Sequence, residues 1–330
     1  MTNGPEAHVT RDYIDIFVLN VGAGSCAVID HASGRRSMID INNGGTLRAA
    51  ERSALLAEGM VGRLMALEAA LEDPIDWYRA RFGDQLWRFI LSHPDADHMS
   101  GIRCILNRQD LTASVFWDLP HTKATPSSFL NDAAKQDWAW YRAMRNDVQQ
   151  PGVEWPQYLQ PLRFASLHYW HEDGIEILSP SSALVDTCDE REDWNSMSYV
   201  LRVSFGGRSI LLPGDVEQRG WDDLALACAL NGVELRSDIL VASHHGRRSG
   251  YPGNGVLEAI APDAVLVSSD RLPAAEDAIP WYRQEVGSVF STRTEGTMQV
   301  RFWSDGSMAI WNRDRAVIMD RRTLSARVFG

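Results

Sequence analysis

Two histidines and two aspartates lie within six residues of one another, in the segment His93-Pro94-Asp95-Ala96-Asp97-His98. The apolar run just before it, Phe89 to Leu91, predicts a buried β-strand. Because proline interrupts the pairing of a strand inside a sheet, the four side chains are predicted to lie on a turn at the strand's carboxyl end. Imidazole nitrogen and carboxylate oxygen are the ligands of hydrolytic zinc and manganese sites, where the ion lowers the pKa of bound water. The alternative is a polar turn in which the two histidines coincide by chance.

Two later apolar runs also end in polar residues of these types. The run that begins at Arg208 ends in Pro-Gly-Asp215, and the run that begins at Asp238 ends in Ser-His244-His245-Gly. Each run predicts a strand that delivers polar side chains at its end. We therefore expect three strands to converge on one edge of the fold and to bring these groups together there.

The segment from His93 to His98, with Gly101, resembles the H-x-[HD]-x-D-H signature of the metallo-β-lactamase superfamily. Within that superfamily it is similar to the hydrolase domain of ComEC-type competence proteins, whose loop often reads S-H-P-D-A-D-H. The resemblance continues along most of the chain, through Val21–Cys26, Ser37–Asp40, Trp194–Val203, Gly214–Asp215 and His244–Gly246. It implies an α/β fold, the αββα four-layer sandwich of that superfamily, with one or two divalent ions (Zn²⁺ or Mn²⁺) at the sheet edge.

The resemblance also implies roles for individual residues. The implied metal ligands are His93, Asp95, Asp97, His98, Asp215 and His244. Asp215 would bridge two ions, since each carboxylate oxygen can bind one, and Asp97 would also orient the attacking water. His245 is either the ligand in place of His244 or a proton donor to the leaving group; His244 is preferred, because related H-x-G-T loops bind metal through their first position. Asp40, Asn195 and Ser196 would support the ligands rather than bind the ion.

One expected ligand is missing from this chain. Two-metal relatives carry a third histidine near Asn195, where this sequence has none, and Asp95 stands where many relatives have histidine. A carboxylate is a harder ligand than imidazole and shifts the preference from zinc towards manganese. We therefore expect one strong metal site and one weak site that includes His93. His168 and His171 are the alternatives for the missing ligand.

Two arginines follow the last ligand motif directly. Arg247 and Arg248 are predicted to lie on the rim of the site, where a guanidinium group binds phosphate well. The alternative, ordinary surface charge, is weighted equally.

Two helices are predicted, one of them beside the site. Residues 46 to 72 form one helix, whose apolar stripe is Leu56, Met60, Leu64, Leu67 and Leu71. Met99 to Asn107 form a second helix with its amino end towards the site, where free N–H groups favour phosphate.

Residues 121 to 171 depart from the family pattern and are treated as an insertion. They hold aromatic residues among polar ones and prolines: Trp138, Trp140, Tyr141, Trp155, Tyr158, Tyr169 and Trp170, with His121 and His171. One interpretation is a lid whose rings stack on a base, a sugar or an acyl group. The preferred alternative is an insertion that packs its rings on the sandwich as a secondary core.

Composition limits the class of protein. The chain has 330 residues, 45% of them hydrophobic, which suits one sandwich domain over residues 1 to 330. A net charge of −12 argues against non-specific wrapping of nucleic acid. Four scattered cysteines, a polar amino terminus and no apolar run of about 18 residues predict a cytoplasmic protein without a membrane span or signal peptide.

The sequence therefore favours a metal-dependent phosphodiesterase or nuclease. The phosphodiester substrate would be DNA, a short oligonucleotide or a cyclic nucleotide. The negative net charge makes the two smaller substrates as compatible with the chain as long DNA. Two alternatives stay open. One is a lactone or thioester hydrolase that uses the same ions. The other is a binding or regulatory subunit without activity, as the missing histidine suggests. The sequence does not identify protein partners or an oligomeric state.

Overall fold

The computed structural model describes residues 11–43, 47, 49–108, 110–129, 131–269 and 272–321, without the side chains of Ala50 and His168. The strands are β1 (Tyr13–Val18), β2 (Ala27–Asp30), β3 (Arg36–Ile39), β4 (Ile41–Asn42), β5 (Gln85–Ile90), β6 (Thr112–Trp117), β7 (Gln157–Leu159), β8 (Ile175–Ser179), β9 (Val200–Phe205), β10 (Arg208–Leu212), β11 (Ile239–Val241), β12 (Ala264–Val267), β13 (Val289–Ser291), β14 (Met298–Trp303), β15 (Met308–Trp311) and β16 (Val317–Arg321).

The helices are α1 (Ala49–Ala57), α2 (Val61–Glu68), α3 (Pro74–Phe82), α4 (Ala96–Met99), α5 (Ile102–Leu106), α6 (Asp132–Arg145), α7 (His168–Glu172), α8 (Ser182–Glu190), α9 (Gln218–Asn231), α10 (Asn254–Ile260), α11 (Ile279–Glu285) and α12 (Thr292–Glu295). Two 3₁₀ turns, Ser243–Gly246 and Arg248–Gly250, follow β11. None of these helices is both long and apolar enough to cross a membrane.

Apart from β4, the strands form two sheets, in the orders β16-β15-β14-β1-β2-β3-β5-β6-β7 and β13-β12-β11-β10-β9-β8, while β4 makes isolated bridges to Met99 and Ser100. Alternate residues of each strand face opposite layers: Ile14 and Ile16 of β1 pack between the sheets, while Phe17 packs on the outer face with α3. Leu211 of β10 likewise faces outward, where Leu224 of α9 belongs to the same core. Helices thus cover both outer faces, and the predicted αββα sandwich is confirmed.

The site is positioned by parallel strands in both sheets. In the first sheet β3 and β5 run parallel, and in the second β10, β11 and β12 do. The loops that carry the candidate ligands leave the carboxyl ends of β5, β10 and β11. Because carboxyl ends of parallel strands share one edge of a sheet, two stacked sheets bring these loops face to face. The predicted convergence of three strand ends is what the structure shows.

The prediction of one continuous helix over residues 46 to 72 is wrong. The segment forms two helices, α1 and α2, separated at Gly59, whose φ of 71° is a left-handed conformation that ends a helix. Leu55 rather than Leu56 is buried, and Met60 is exposed. Residues 46 and 48 lie outside the described part of the chain.

The predicted helix over Met99–Asn107 is also interrupted. Gly101, with φ 92°, separates the short helices α4 and α5. The Asp137 carboxylate accepts hydrogen bonds from the backbone N–H groups of Gly101 (2.9 Å) and Arg103 (3.1 Å). A side chain therefore caps the amino end of α5 that was expected to favour phosphate.

The aromatic residues of the 121–171 insertion pack on the sandwich. Trp138 and Tyr141 of α6 are buried in the outer core of the first sheet, and Trp170 is buried between the sheets against Trp117. β7 extends the first sheet by pairing with β6. These contacts favour the secondary-core interpretation over the lid.

Candidate metal centre

Ligand atoms of four residues converge at the edge where the strand ends meet, and we call these residues the four-residue cluster. His98 Nε2 lies 3.3 Å from His245 Nε2 and 3.2 Å from Asp215 Oδ1. His245 Nε2 lies 3.3 Å from Asp97 Oδ2 and 3.5 Å from Asp215 Oδ2. A tetrahedral ion with bonds of about 2.0–2.2 Å holds its ligand atoms about 3.3–3.6 Å apart. The spacing and the donor set therefore fit a divalent metal ion.

Partners behind the site orient the imidazole rings. His98 Nδ1 donates to Asp40 Oδ2 at 2.8 Å, and His245 Nδ1 donates to the Ser268 carbonyl at 3.1 Å. Each bond leaves Nε2 as the ligand atom, as is usual for metal-binding histidines. Asp40 also accepts from the N–H and hydroxyl of Ser92, both at 2.7 Å. Asp40 thus lies where the sequence placed it, behind the ligands.

The electrostatics of the cluster favour a cation. Burial alone lowers the pKa of His98, but the carboxylates of Asp215 and Asp40 outweigh it, and that pKa lies well above its ordinary value. Burial raises the pKa of Asp215, but His245 and His98 outweigh it and hold that pKa well below its ordinary value. A group of buried atoms that stabilises positive charge on its own imidazoles also stabilises a metal ion placed among them.

His93 and Asp95 form a second, less complete group beside the first. His93 Nδ1 donates to Ser92 Oγ at 3.1 Å, while its buried Nε2 has no hydrogen-bond partner in the described part of the chain. That atom lies 3.8 Å from Asp95 Oδ2. Ligand atoms of His93, His98 and Asp215 lie within 4.8 Å of one another. Asp95, however, is paired with the ammonium of Lys123.

The geometry favours His245 over His244 as the ligand, the opposite of the sequence-based preference. His245 is buried and belongs to the four-residue cluster, whereas the side chain of His244 is 17% exposed. His244 Nδ1 contacts Glu217 Oε1 and Ser249 Oγ, both at 2.9 Å, and its Nε2 lies 3.6 Å from Asp215 Oδ2. Both histidines have positive φ, 50° and 57°, so the chain turns sharply and sends the two rings in different directions.

Ser198, rather than Asn195 or Ser196, contacts the cluster from the β9 side. Its Oγ accepts from the backbone N–H of Asp215 at 3.3 Å. Ser196 is buried, and its backbone N–H donates to Asp193 Oδ1 at 3.3 Å. The supporting role predicted for Asn195 and Ser196 therefore falls to a residue two or three positions later.

Arg247 and Arg248 are engaged by the loop that precedes α11. The Arg247 guanidinium pairs with Glu276. Arg248 donates to the carbonyls of Asp277 and Ala274, both at 3.2 Å, and lies 4.7 Å from the Trp281 ring. These contacts explain both side chains without a substrate, so phosphate binding by the two arginines stays a prediction.

His171 does not supply the missing ligand. Its Nε2 contacts Ser166 Oγ at 2.5 Å, in a groove of about 430 Å³ beside β8 that shares no lining residue with the metal cluster. The side chain of His168 lies outside the described part of the chain. Two residues beside the site were not predicted from the sequence. Lys123 pairs with Asp95, and Glu217 contacts His244.

Comparisons with known proteins agree with the motif. The chain is 33% identical over 117 residues to competence protein ComA of Neisseria gonorrhoeae, an alignment that covers 34% of this chain and 15% of that protein. It is 22% identical over 257 residues to ComE operon protein 3 of Bacillus subtilis (strain 168), covering 78% and 28% of the two chains. The chain thus spans less than a third of either relative. No protein-family model matches it.

Among solved structures, the metallo-β-lactamase fold protein YhfI from Bacillus subtilis aligns with a TM-score of 0.43 and 11% identity, over 85% of this chain and 96% of that one. The αββα sandwich with the His-x-Asp-x-Asp-His loop at its edge is the metallo-β-lactamase fold. In sequence, the chain is similar to the ComA and ComE operon proteins named above.

Proposed function

We propose that the protein is a metal-dependent hydrolase that cleaves phosphodiester bonds. The observation that carries the proposal is the cluster of Asp97, His98, Asp215 and His245, in which four pairs of neighbouring ligand atoms lie 3.2–3.5 Å apart, close to the spacing of ligands around a tetrahedral ion. The site is open on one side, since the Asp97 side chain is 40% exposed while the other three are buried. A substrate can therefore approach along the side that Asp97 faces.

The residues of the cluster have separate tasks in this proposal. A bound divalent ion supplies Lewis acidity and lowers the pKa of water. Asp97, at the exposed side, accepts a hydrogen bond from the attacking water and orients it. Asp215 directs its two oxygens to different neighbours, Oδ1 to His98 and Oδ2 to His245. Asp40 and the Ser268 carbonyl fix the imidazole rings, so that little reorganisation is needed during the reaction.

The sequence relatives favour a phosphodiester over other substrates. One of them is named a competence protein, and a further relative, 26% identical over 235 residues, is recombination protein 2 of Haemophilus influenzae. These names favour a nucleic-acid substrate. The net charge of −12 does not favour a long duplex, so a single strand, a short oligonucleotide or a cyclic nucleotide is proposed.

The test is a substrate screen with the Mn²⁺-loaded chain. We expect turnover of bis(p-nitrophenyl) phosphate and of single-stranded DNA, and little turnover of a lactone or a thioester. Asp97→Asn should lower kcat by about 100-fold or more, since it removes a carboxylate that both binds the ion and orients the attacking water. The control is Asp314→Asn, a change to an exposed carboxylate near the end of the described chain. Turnover of only the lactone or thioester would contradict the phosphodiester assignment.

A further inference from the structure

An ammonium group lies beside the candidate metal centre. Lys123 Nζ is ion-paired with Asp95 Oδ1, and it lies 5.8 Å from the centre of the Trp194 ring. The Lys123 side chain is only 19% exposed. Trp194 directly precedes Asn195, the region in which two-metal relatives are expected to carry their third histidine. The lysine therefore lies beside the segment in which the resemblance implies a third histidine.

The choice of lysine is unusual for this chain. Of its 32 basic residues only two, Lys123 and Lys135, are lysines. Lys135 lies exposed on α6, whereas Lys123 is the one brought to the site. An ammonium is a compact point charge, unlike the broad, planar guanidinium group. It therefore resembles a metal ion in size and charge more closely than arginine does.

The backbone that carries Lys123 is fixed by several hydrogen bonds. The Lys123 N–H donates to His121 Nδ1 at 3.1 Å, and the Thr122 N–H donates to Asp189 Oδ1 at 2.7 Å. His121 is held in turn, since its Nε2 contacts the Tyr141 hydroxyl at 2.6 Å. The segment at the start of the insertion is thus anchored to α6 and α8. These hydrogen bonds of the backbone and of His121 hold Lys123 beside Asp95.

We propose that the Lys123 ammonium takes the place of one cation of a two-ion site. Asp95 and His93 would otherwise bind that second ion, because the buried His93 Nε2 faces it without a hydrogen-bond partner among the described residues. With one Asp95 oxygen neutralised by Lys123, an ion there competes with a built-in positive charge. Asp97, His98 and His245 form a separate group of ligands, while Lys123 pairs with Asp95, so the ion of that group is retained. This inference rests on the metal centre of the proposed function, but not on the identity of the substrate.

The experiment is a calorimetric Mn²⁺ titration of the full chain, with bound metal counted by elemental analysis. We expect the wild type to bind one Mn²⁺ tightly and a second weakly. Lys123→Gln should tighten the second site by about 10-fold or more, because it removes a positive charge a few ångströms from that ion. Lys123→Arg keeps the positive charge and should therefore leave the second site weak. Lys135→Gln is the matched control, at the other lysine, and should leave both affinities unchanged.

Two results would overturn the proposal: two equally tight sites in the wild type, or an unchanged second site in Lys123→Gln. Thermal unfolding of each variant shows whether it is folded, and Lys123→Met, which keeps the length of the side chain, replaces Lys123→Gln if that variant unfolds. Because the readout is the number and affinity of bound ions, it does not depend on substrate turnover. A protein that fails the substrate screen can therefore still pass this test, and the reverse also holds.

Discussion

Replacing His245 by asparagine is expected to weaken the binding of a divalent ion by about 100-fold, while the same change at His244 should have little effect. A structural zinc site contributes about 10–16 kcal/mol, which divides among four ligands into roughly 3 kcal/mol each. His245 is buried, and its Nε2 contacts the other ligands of the four-residue cluster. His244 Nδ1 instead contacts Glu217 and Ser249, which lie outside that cluster. Sequence resemblance favoured the opposite assignment, so the pair of variants discriminates between the two.

Asparagine is the suitable replacement at both positions because it tolerates the positive φ that both histidines adopt. The measurement is a competition titration of each variant with a metal-sensitive chelator, which reports affinity directly. Thermal unfolding without metal should give similar midpoints for the two variants. If His244→Asn lost the ion and His245→Asn retained it, the described geometry of the 3₁₀ turn after β11 would be contradicted.

Replacing Asp173 by asparagine is expected to lower the free energy of unfolding by about 3–5 kcal/mol, because it leaves a buried charge without its partner. Arg88 is fully buried on β5, and its Nη2 donates to Asp173 Oδ2 at 2.9 Å. Arg35 Nε donates to Asp173 Oδ1 at 2.9 Å, and Ser33 donates to the same oxygen at 2.7 Å. Since the guanidinium group cannot lose its proton, Arg88 would stay charged in a site without a carboxylate.

The neighbouring residue offers a control. Glu172 pairs with the same Arg35, but its side chain is 42% exposed. Glu172→Gln should change the free energy of unfolding by at most about 1 kcal/mol, because solvent screens an exposed pair. Urea unfolding at neutral pH measures both variants. Equal, small effects would show that the Arg88 guanidinium finds other partners and that the buried pair is not what connects the first sheet to the start of β8.

The fold was predictable because strand periodicity and motif position carry most of the information. The apolar runs before Asp95, Asp215 and His245 are buried strands whose carboxyl ends meet, as expected. Asp40 was predictable in the same way, since it directly follows β3. Each of these residues follows a buried strand by a few positions, so the end of that strand fixes its place at the sheet edge.

Other features depended on contacts between residues distant in sequence. Which of His244 and His245 faces the ion is decided by two residues with positive φ, which no sequence pattern marked. Lys123 reaches Asp95 from 28 positions away, through a loop held by α6 and α8. The break at Gly59 depends on how α1 and α2 pack, and the apolar stripe alone suggested one helix. The rarity of lysine in the chain was the one signal that pointed to Lys123.

The central claim is that Asp97, His98, Asp215 and His245 bind a divalent ion. Elemental analysis of the full chain, purified without chelator and then dialysed with Mn²⁺ or Zn²⁺, tests it most directly, with an Asp97→Ala, His98→Ala double variant beside the wild type. We predict at least one ion per wild-type chain and a clear loss in the double variant, which removes two of the four ligand residues. A wild-type chain that carries no ion and takes up none, or a double variant that binds as much as the wild type, would contradict it.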